Sequence, residues 1–240
     1  MNDTSLLISG YDYIRKVPGF FDGEFVVQDQ SSCLAVKAAG INEGDLVVDV
    51  CAAPGGKTMY AAMLTGSEGH VISRDLTDKK TELIEENIER LGLSNVTVQV
   101  HDAREFDEEL TGKADVVIAD LPCSGLGIMG RKNDIKYHVS MESVKELAQL
   151  QREILDTVCR YVKPGGTLVY STCTIDSIEN DENAVWFADT HDFSLCGIDD
   201  VVPEHGGERG FVTLHQGIDE CDGFFISKFR ADSNNQIGQE

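Results

Sequence analysis

The chain lacks any apolar run of membrane-spanning length, which excludes an integral protein with transmembrane helices. It also lacks a CxxC pair. Its cysteines are odd in number, at Cys33, Cys51, Cys123, Cys159, Cys173, Cys196 and Cys221. That pattern argues against a disulfide framework and a zinc ribbon, and no His/Cys cluster has ligand spacing, so no metal is expected. Met1 to Ile8 carry neither the basic start nor the long apolar stretch of a signal peptide. A reducing cytoplasm and free thiols are therefore expected. Basic residues are scarce: 20 Lys and Arg stand against 42 Asp and Glu, a net charge of −22. Such acidity argues against general polyanion binding. The imbalance is uneven, however. Residues 131–163 hold seven basic and five acidic side chains, a local +2, while residues 176–222 hold thirteen acidic and one basic, a local −12. A nucleic acid would meet the middle of the chain before its C-terminal third.

With 240 residues and a 41% hydrophobic fraction, the chain suits one large α/β domain. Leu46–Val50, His70–Arg74, Val96–Val100, Asp115–Ala119 and Thr167–Ser171 read as strands, with two more near 210–215 and 223–229. A helix is expected over Asp78–Leu91, striped by Leu83, Ile84, Ile88 and Leu91 and stopped by Gly92. A second is expected after a capping box of Ser143 and Glu146, burying Val144, Leu147, Ala148, Ile154, Leu155, Val158 and Val162 and ended by Lys163-Pro-Gly-Gly166. A third is expected near Glu179–Asp189. Alternating strands and helices imply a mostly parallel seven-stranded sheet with helices on both faces. Residues 1–45 read as a lead-in packed on the domain, with a short strand at Phe25–Asp29 and a helix capped by Ser31 or Ser32 and running to Ala39. Residues 46–230 form the main domain, and 231–240 a flexible tail.

In sheets of this kind ligands sit beyond the carboxyl ends of the strands, and the polar clusters fall there. Cys51-Ala-Ala-Pro-Gly-Gly-Lys-Thr58 follows the first strand. It is not a phosphate loop, because Cys51 stands where a glycine is needed, and it contains no GxGxxG. A small-residue turn opening a helix remains, open to close approach by a carboxylate or a ribose, though an ordinary tight turn would read the same way. Asp75 at the end of the second strand could accept from both hydroxyls of a ribose, and Asp102 beyond the third from an adenine amino group. Taken singly, each reads more simply as a cap or a solvated loop residue. Together with the turn they describe a nucleoside held without a phosphate site, which points to S-adenosylmethionine. The fourth strand ends in Asp120-Leu-Pro-Cys-Ser-Gly125 and the fifth in Ser171-Thr-Cys-Thr174, so Cys123 and Cys173 would face one cleft. A thiol suits carbon methylation of a pyrimidine: adding a thiolate to carbon 6 turns the neighbouring ring carbon into an enamine.

These segments, with Asp134-Ile-Lys136, Leu147-Ala-Gln-Leu-Gln151 and Asp222-Gly-Phe-Phe-Ile226, resemble the RNA cytosine-C5 methyltransferases of the RsmB/Sun type over roughly residues 17–230. The resemblance implies a Rossmann-like methyltransferase fold with S-adenosylmethionine as methyl donor. It implies that Cys51, Ala52, Ala53, Pro54, Gly55, Gly56 and Lys57 cradle the methionine end, Asp75 the ribose and Asp102 the adenine, with Asp120 between cofactor and base. In that family the cysteine corresponding to Cys173 is the nucleophile, the one corresponding to Cys123 assists release of the methylated RNA, and Lys57 orients the base and Asp120. Arg131, Lys132 and Lys136 are candidate phosphate contacts, although a solvated face would look the same. Lys132-Asn133 stands where the family commonly has His-Pro. RsmB-type proteins also carry an N-terminal RNA-binding region, which would here be separate or deleted. The expected substrate is RNA, ribosomal RNA first. Two rival readings remain: a DNA cytosine-C5 methyltransferase using Cys123 as nucleophile, and a methyltransferase-fold RNA-binding or assembly protein with little activity.

Overall fold

The structure, a computed structural model, describes residues 6–203 and 207–233. The central sheet is formed by β1 (Leu46–Asp49), β2 (His70–Asp75), β3 (Val96–Val100), β4 (Ala114–Asp120), β5 (Val162–Thr172), β6 (Phe193–Leu195), β7 (Phe211–Leu214) and β8 (Phe224–Ala231). Their order is β3-β2-β1-β4-β5-β8-β6, with β7 also paired to β8. The first five strands run parallel and β8 is antiparallel to β5. Eight strands therefore occupy the seven positions expected. β6 and β7 share one edge of β8, β6 against Phe229–Ala231 and β7 against Phe224–Ser227. The extra strand is β6, whose three residues are too short to show a period of two.

Helices α1 (Gln30–Ala39), α2 (Gly56–Thr65), α3 (Asp78–Leu91), α4 (Ile135–His138), α5 (Met141–Val158) and α6 (Asp181–Thr190) connect the strands. Adjacent strand residues point to opposite faces, and the core divides accordingly. Val48, Val117 and Leu168 lie with Leu155, Val158, Ala184 and Phe187 of α5 and α6. Val47, Val116 and Val169 lie with Ala35, Val36, Tyr60 and Ala61 of α1 and α2. A smaller cluster joins Ile84 of α3 to Met59 and Ala52. Coverage on both faces explains the unbroken apolar runs of β1, β4 and β5.

Several local expectations shift. No strand forms over 25–29, and α1 is capped by Asp29, whose carboxylate accepts from the Ser31 N–H at 3.0 Å. The capping box of α5 is Ser140 with Ser143, so the helix opens before the expected Ser143–Glu146 pair. Val162 is the first residue of β5, and Lys163-Pro-Gly-Gly166 lies inside that strand, where the register against β4 is irregular. Leu83 is 43% exposed, so the apolar stripe of α3 is narrower than its pattern, although Gly92 closes the helix in the left-handed conformation as expected. Glu179 precedes α6 instead of opening it. Ala231 pairs with Phe193 as the end of β8, and 234–240 of the expected tail, like 1–5 of the lead-in, lie outside the described residues. No helix among the described residues is long and apolar enough to cross a membrane.

Phe229 is fully buried in β8 and meets the Phe187 ring edge-to-face at 4.8 Å. Phe229→Ala should lower the unfolding free energy by about 3–5 kcal/mol. Urea denaturation should show a lower midpoint at unchanged slope.

Candidate active site

The turn between β1 and α2 is hung from its neighbours by main-chain bonds. The Val50 N–H donates to the Ile118 carbonyl at 3.1 Å, and the Ala52 N–H to the Arg74 carbonyl at 2.9 Å. The Ala53 N–H donates to Asp75 Oδ2 at 2.9 Å. Asn87 of α3 supports the Pro54 carbonyl from below at 3.2 Å. Gly55, at φ 103°, turns the chain into α2, and no side chain caps that helix. The N–H groups of its first turn thus face outward, a setting suited to a carboxylate. Cys51 contributes backbone: burial, then the charges of Asp75, Asp49 and Asp120, push its thiol far up.

The remaining cradle residues line the ends of β2 and β3. Asp75 is 3% exposed and also accepts from the Leu76 N–H at 2.7 Å and Lys80 Nζ at 2.8 Å. Asp102 is gripped by the Arg104 guanidinium through both oxygens, which holds its carboxyl low. Among the described residues three buried side-chain polar atoms have no partner, Asp49 Oδ1, Gln28 Nε2 and Arg74 Nη1. Gln28 packs beside Gly56 at the mouth of the turn. The uncapped amides of α2, the carboxylates of Asp75 and Asp102 and the unpaired Gln28 amide are the polar groups that a cofactor with an amino-acid end, a ribose and a base requires.

Asp120 ends β4 opposite Ser171 of β5, so the two strands deliver their following turns to the same place. Lys57 Nζ lies 2.6 Å from Asp120 Oδ2, and Ser171 Oγ donates to Asp120 Oδ1 at 2.7 Å. Lys57 also donates to Ser32 Oγ at 3.3 Å and lies 5.2 Å from the centre of the Phe224 ring. Beyond them the Cys123 and Cys173 sulfurs are 3.3 Å apart. A hydrogen bond from Cys123 lowers the Cys173 thiol, against burial and the Asp120 charge and aided by Lys57. The same bond and burial raise Cys123. The two shifts run in opposite directions, favouring the thiolate at Cys173 over Cys123. The Cys173 carbonyl accepts from the Gly127 N–H at 3.0 Å, and the Gly127 carbonyl accepts from the Gly223 N–H at 3.0 Å. A Cβ on Gly127 would run into the Gly223 carbonyl.

A profile of the family described as 16S rRNA methyltransferase RsmB/F matches residues 37–230. The chain belongs to this family. It is 42% identical over 220 residues to the probable ribosomal RNA small subunit methyltransferase B of Bacillus subtilis, an overlap of 88% of this chain and 48% of that protein. It is 35% identical over 215 residues to ribosomal RNA small subunit methyltransferase F of Escherichia coli, covering 87% of this chain and 45% of that protein. The solved structure of NSun6 from Pyrococcus horikoshii with SFG, an S-adenosylmethionine analogue, aligns with a TM-score of 0.78 at 28% identity, covering 92% of this chain and 56% of that one. The chain spans about half the length of the curated relatives it matches. Its fold is that of the Rossmann-like S-adenosylmethionine-dependent methyltransferases, and the RsmB/F cradle described above fits that cofactor.

Three features of this RsmB/F domain escape a reading by motif. Arg131 donates to Asp29 at 2.7 Å and lies 3.0 Å from Asp222, so its charge is already paired across three segments. Lys132, on the same loop, and Lys136, in α4, are exposed, and Lys136 lies over the Tyr137 ring. Glu179, fully buried, binds the turn that carries Cys123. Its partner is distant in sequence, and only a long-range pairing could have shown it. The described residues hold no group of three His, Cys, Asp or Glu side chains arranged for a metal.

Asp49 is fully buried beneath the cradle, where Thr58 donates to Oδ2 at 2.7 Å. Burial raises its carboxyl from 3.8 to about 7, against the Thr58 hydrogen bond. The folded protein then keeps a proton that the unfolded chain has lost, so this contribution to stability is present below about pH 4 and disappears as pH rises through 7. Asp49→Asn removes the titration. Relative to the parent, the variant should gain on the order of 4 kcal/mol between pH 4 and pH 8, measured as the difference in denaturant unfolding energies at the two pH values.

Proposed function

We propose that this domain methylates carbon 5 of a cytosine in RNA, ribosomal RNA first, through a covalent adduct of Cys173 at carbon 6. The observation that carries the reading is the pair of thiols at 3.3 Å, one held toward thiolate, beside the Lys57–Asp120 pair and the cofactor cradle. The names of the relatives support ribosomal RNA as the substrate class. The working compartment of this reading is a reducing cytoplasm, where the seven cysteines would stay free thiols.

Residues 51–57 with Asp75 and Asp102 would hold S-adenosylmethionine, which when bound would supply an electrophilic methyl group. Cys173 forms the sulfur–carbon 6 bond and makes carbon 5 nucleophilic. Asp120, steadied by Lys57 and Ser171, receives a proton from the Lys57 ammonium and donates it in a hydrogen bond to nitrogen 3 as negative charge develops there. For release, a base takes the carbon 5 proton, and the electron pair of that bond re-forms the ring double bond and expels the Cys173 thiolate from carbon 6; Cys123 is the adjacent group able to assist. The target cytosine must be unpaired or flipped to reach the sulfur. Lys132 and Lys136 contact backbone phosphates, and Arg131 can join them only by leaving Asp29 and Asp222. An RNA-binding module attached to or associated with this domain supplies the remaining affinity.

Covalent trapping tests the assignment of the thiols. Cys123→Ala, mixed with unmodified RNA and S-adenosylmethionine, should accumulate a denaturant-resistant protein–RNA adduct, and Cys173→Ala should form none. An adduct with Cys173→Ala alone would reverse the roles and revive the DNA-type mechanism. No adduct with either would sink the covalent reading for this chain. Lys132→Ala and Lys136→Ala should each reduce the slope of log affinity against log salt by about 1, read by filter binding over a salt series.

A further inference from the structure

A buried carboxylate holds the Cys123 turn in place, and the reaction scheme above does not use it. Glu179 is fully buried, and no cation pairs with it among the described residues. Its Oε1 accepts from the Ser124 N–H at 2.9 Å and from Gln151 Nε2 at 3.1 Å. Its Oε2 accepts from Ser124 Oγ at 2.5 Å, and that hydroxyl also meets Thr174 Oγ1 at 2.8 Å. Gln151 in turn donates to the Pro122 carbonyl at 2.9 Å. Both neighbours of Cys123 are therefore fixed, Pro122 by Gln151 and Ser124 by Glu179. Thr174, the residue after Cys173, is drawn into the same network.

A carboxylate in a dry interior is costly, and these contacts show what it secures. Oε1 meets two donors that cannot reverse, so it must be an oxygen. Oε2 meets a hydroxyl, which can donate or accept. The network acts on three residues next to the thiols, Pro122, Ser124 and Thr174, and touches neither sulfur.

We propose that Glu179 is the positioning residue that clamps the Cys123 turn to the Cys173 turn, setting the contact between the sulfurs on which release of the methylated product depends. The release step rests on the function proposed above, whereas the clamp itself does not.

The test measures alkylation of Cys173 by iodoacetamide as a function of pH, resolved by peptide mass spectrometry, with neither RNA nor cofactor present. Cys123→Ala sets the reference, since loss of the partner's hydrogen bond should raise the midpoint for Cys173 by ~1 pH unit. Glu179→Ala, which strands the Ser124 N–H, should raise it by a similar amount. Glu179→Gln should stay near the parent, because its amide oxygen can take the Oε1 place while its nitrogen donates to Ser124 Oγ. Ser124→Ala, a milder change, should give a smaller rise and serves if Glu179→Ala does not fold. An unchanged midpoint in folded Glu179→Ala, or in Ser124→Ala if that protein alone folds, overturns the clamp. So does a Glu179→Gln midpoint as high as that of Glu179→Ala. With RNA and cofactor added, Glu179→Ala should accumulate adduct as Cys123→Ala does. If Cys123→Ala traps RNA and Glu179→Ala does not, the link to release is wrong. If neither traps RNA while the midpoints move as expected, the clamp stands and the proposed reaction fails.

Discussion

The Lys57–Asp120 ion pair ties the two halves of the site together. Its members come from the first turn of α2 and the end of β4, and its side chains are only 11% and 27% exposed. Ions withdrawn this far from water are stable only when their remaining hydrogen-bonding capacity is met. Here Ser171 donates to the second carboxylate oxygen, Ser32 Oγ accepts a hydrogen bond from the ammonium, and the Phe224 ring faces the charge. The pair thus draws α1, α2, β4, β5 and β8 to one point. It also connects the cofactor cradle, of which Lys57 is the last residue, to the turn bearing Cys123, three residues beyond Asp120. Neither half can be displaced without exposing a charge belonging to the other.

Much of this arrangement was legible because a parallel sheet writes itself in continuous apolar runs. Leu46-Val-Val and Asp115-Val-Val-Ile-Ala mark β1 and β4 without any long-range information, and the rule that ligands sit at carboxyl ends then collects Cys51, Asp75, Asp102, Asp120, Cys123 and Cys173 into one region. What escaped was decided by partners far away in sequence or by competition among near neighbours. Asp29 and Ser31 are both good helix caps, and the chain uses the carboxylate of the first to bind the amide of the second. β6 exists because β8 offers it an edge, which three residues of local pattern cannot announce. Glu179 sits in a strongly acidic stretch and looks like one more solvated charge, yet a partner 55 residues earlier buries it.

Charge counting shows the same limit. The stretch beginning at Arg131 is the most basic part of the middle of the chain, but Arg131 is bound to Asp29 and Asp222. A local net charge says where a polyanion is tolerated. The ion pairs say which cations are still available, and here they leave Lys132 and Lys136 exposed, the first on the loop and the second in α4.

The main-chain bonds through Gly127 have a mechanical consequence. Cys173, Gly127 and Gly223 lie in three separate stretches of chain, and two consecutive amide–carbonyl links stitch them with no side chain between. Such a seam cannot stretch or pivot at one stitch alone, because each glycine leaves no room for the other to slide. The backbone behind Cys173 is therefore held as one plate. Under the function proposed above, a base would meet a rigid surface there, and the flexibility that admits it would come from the RNA.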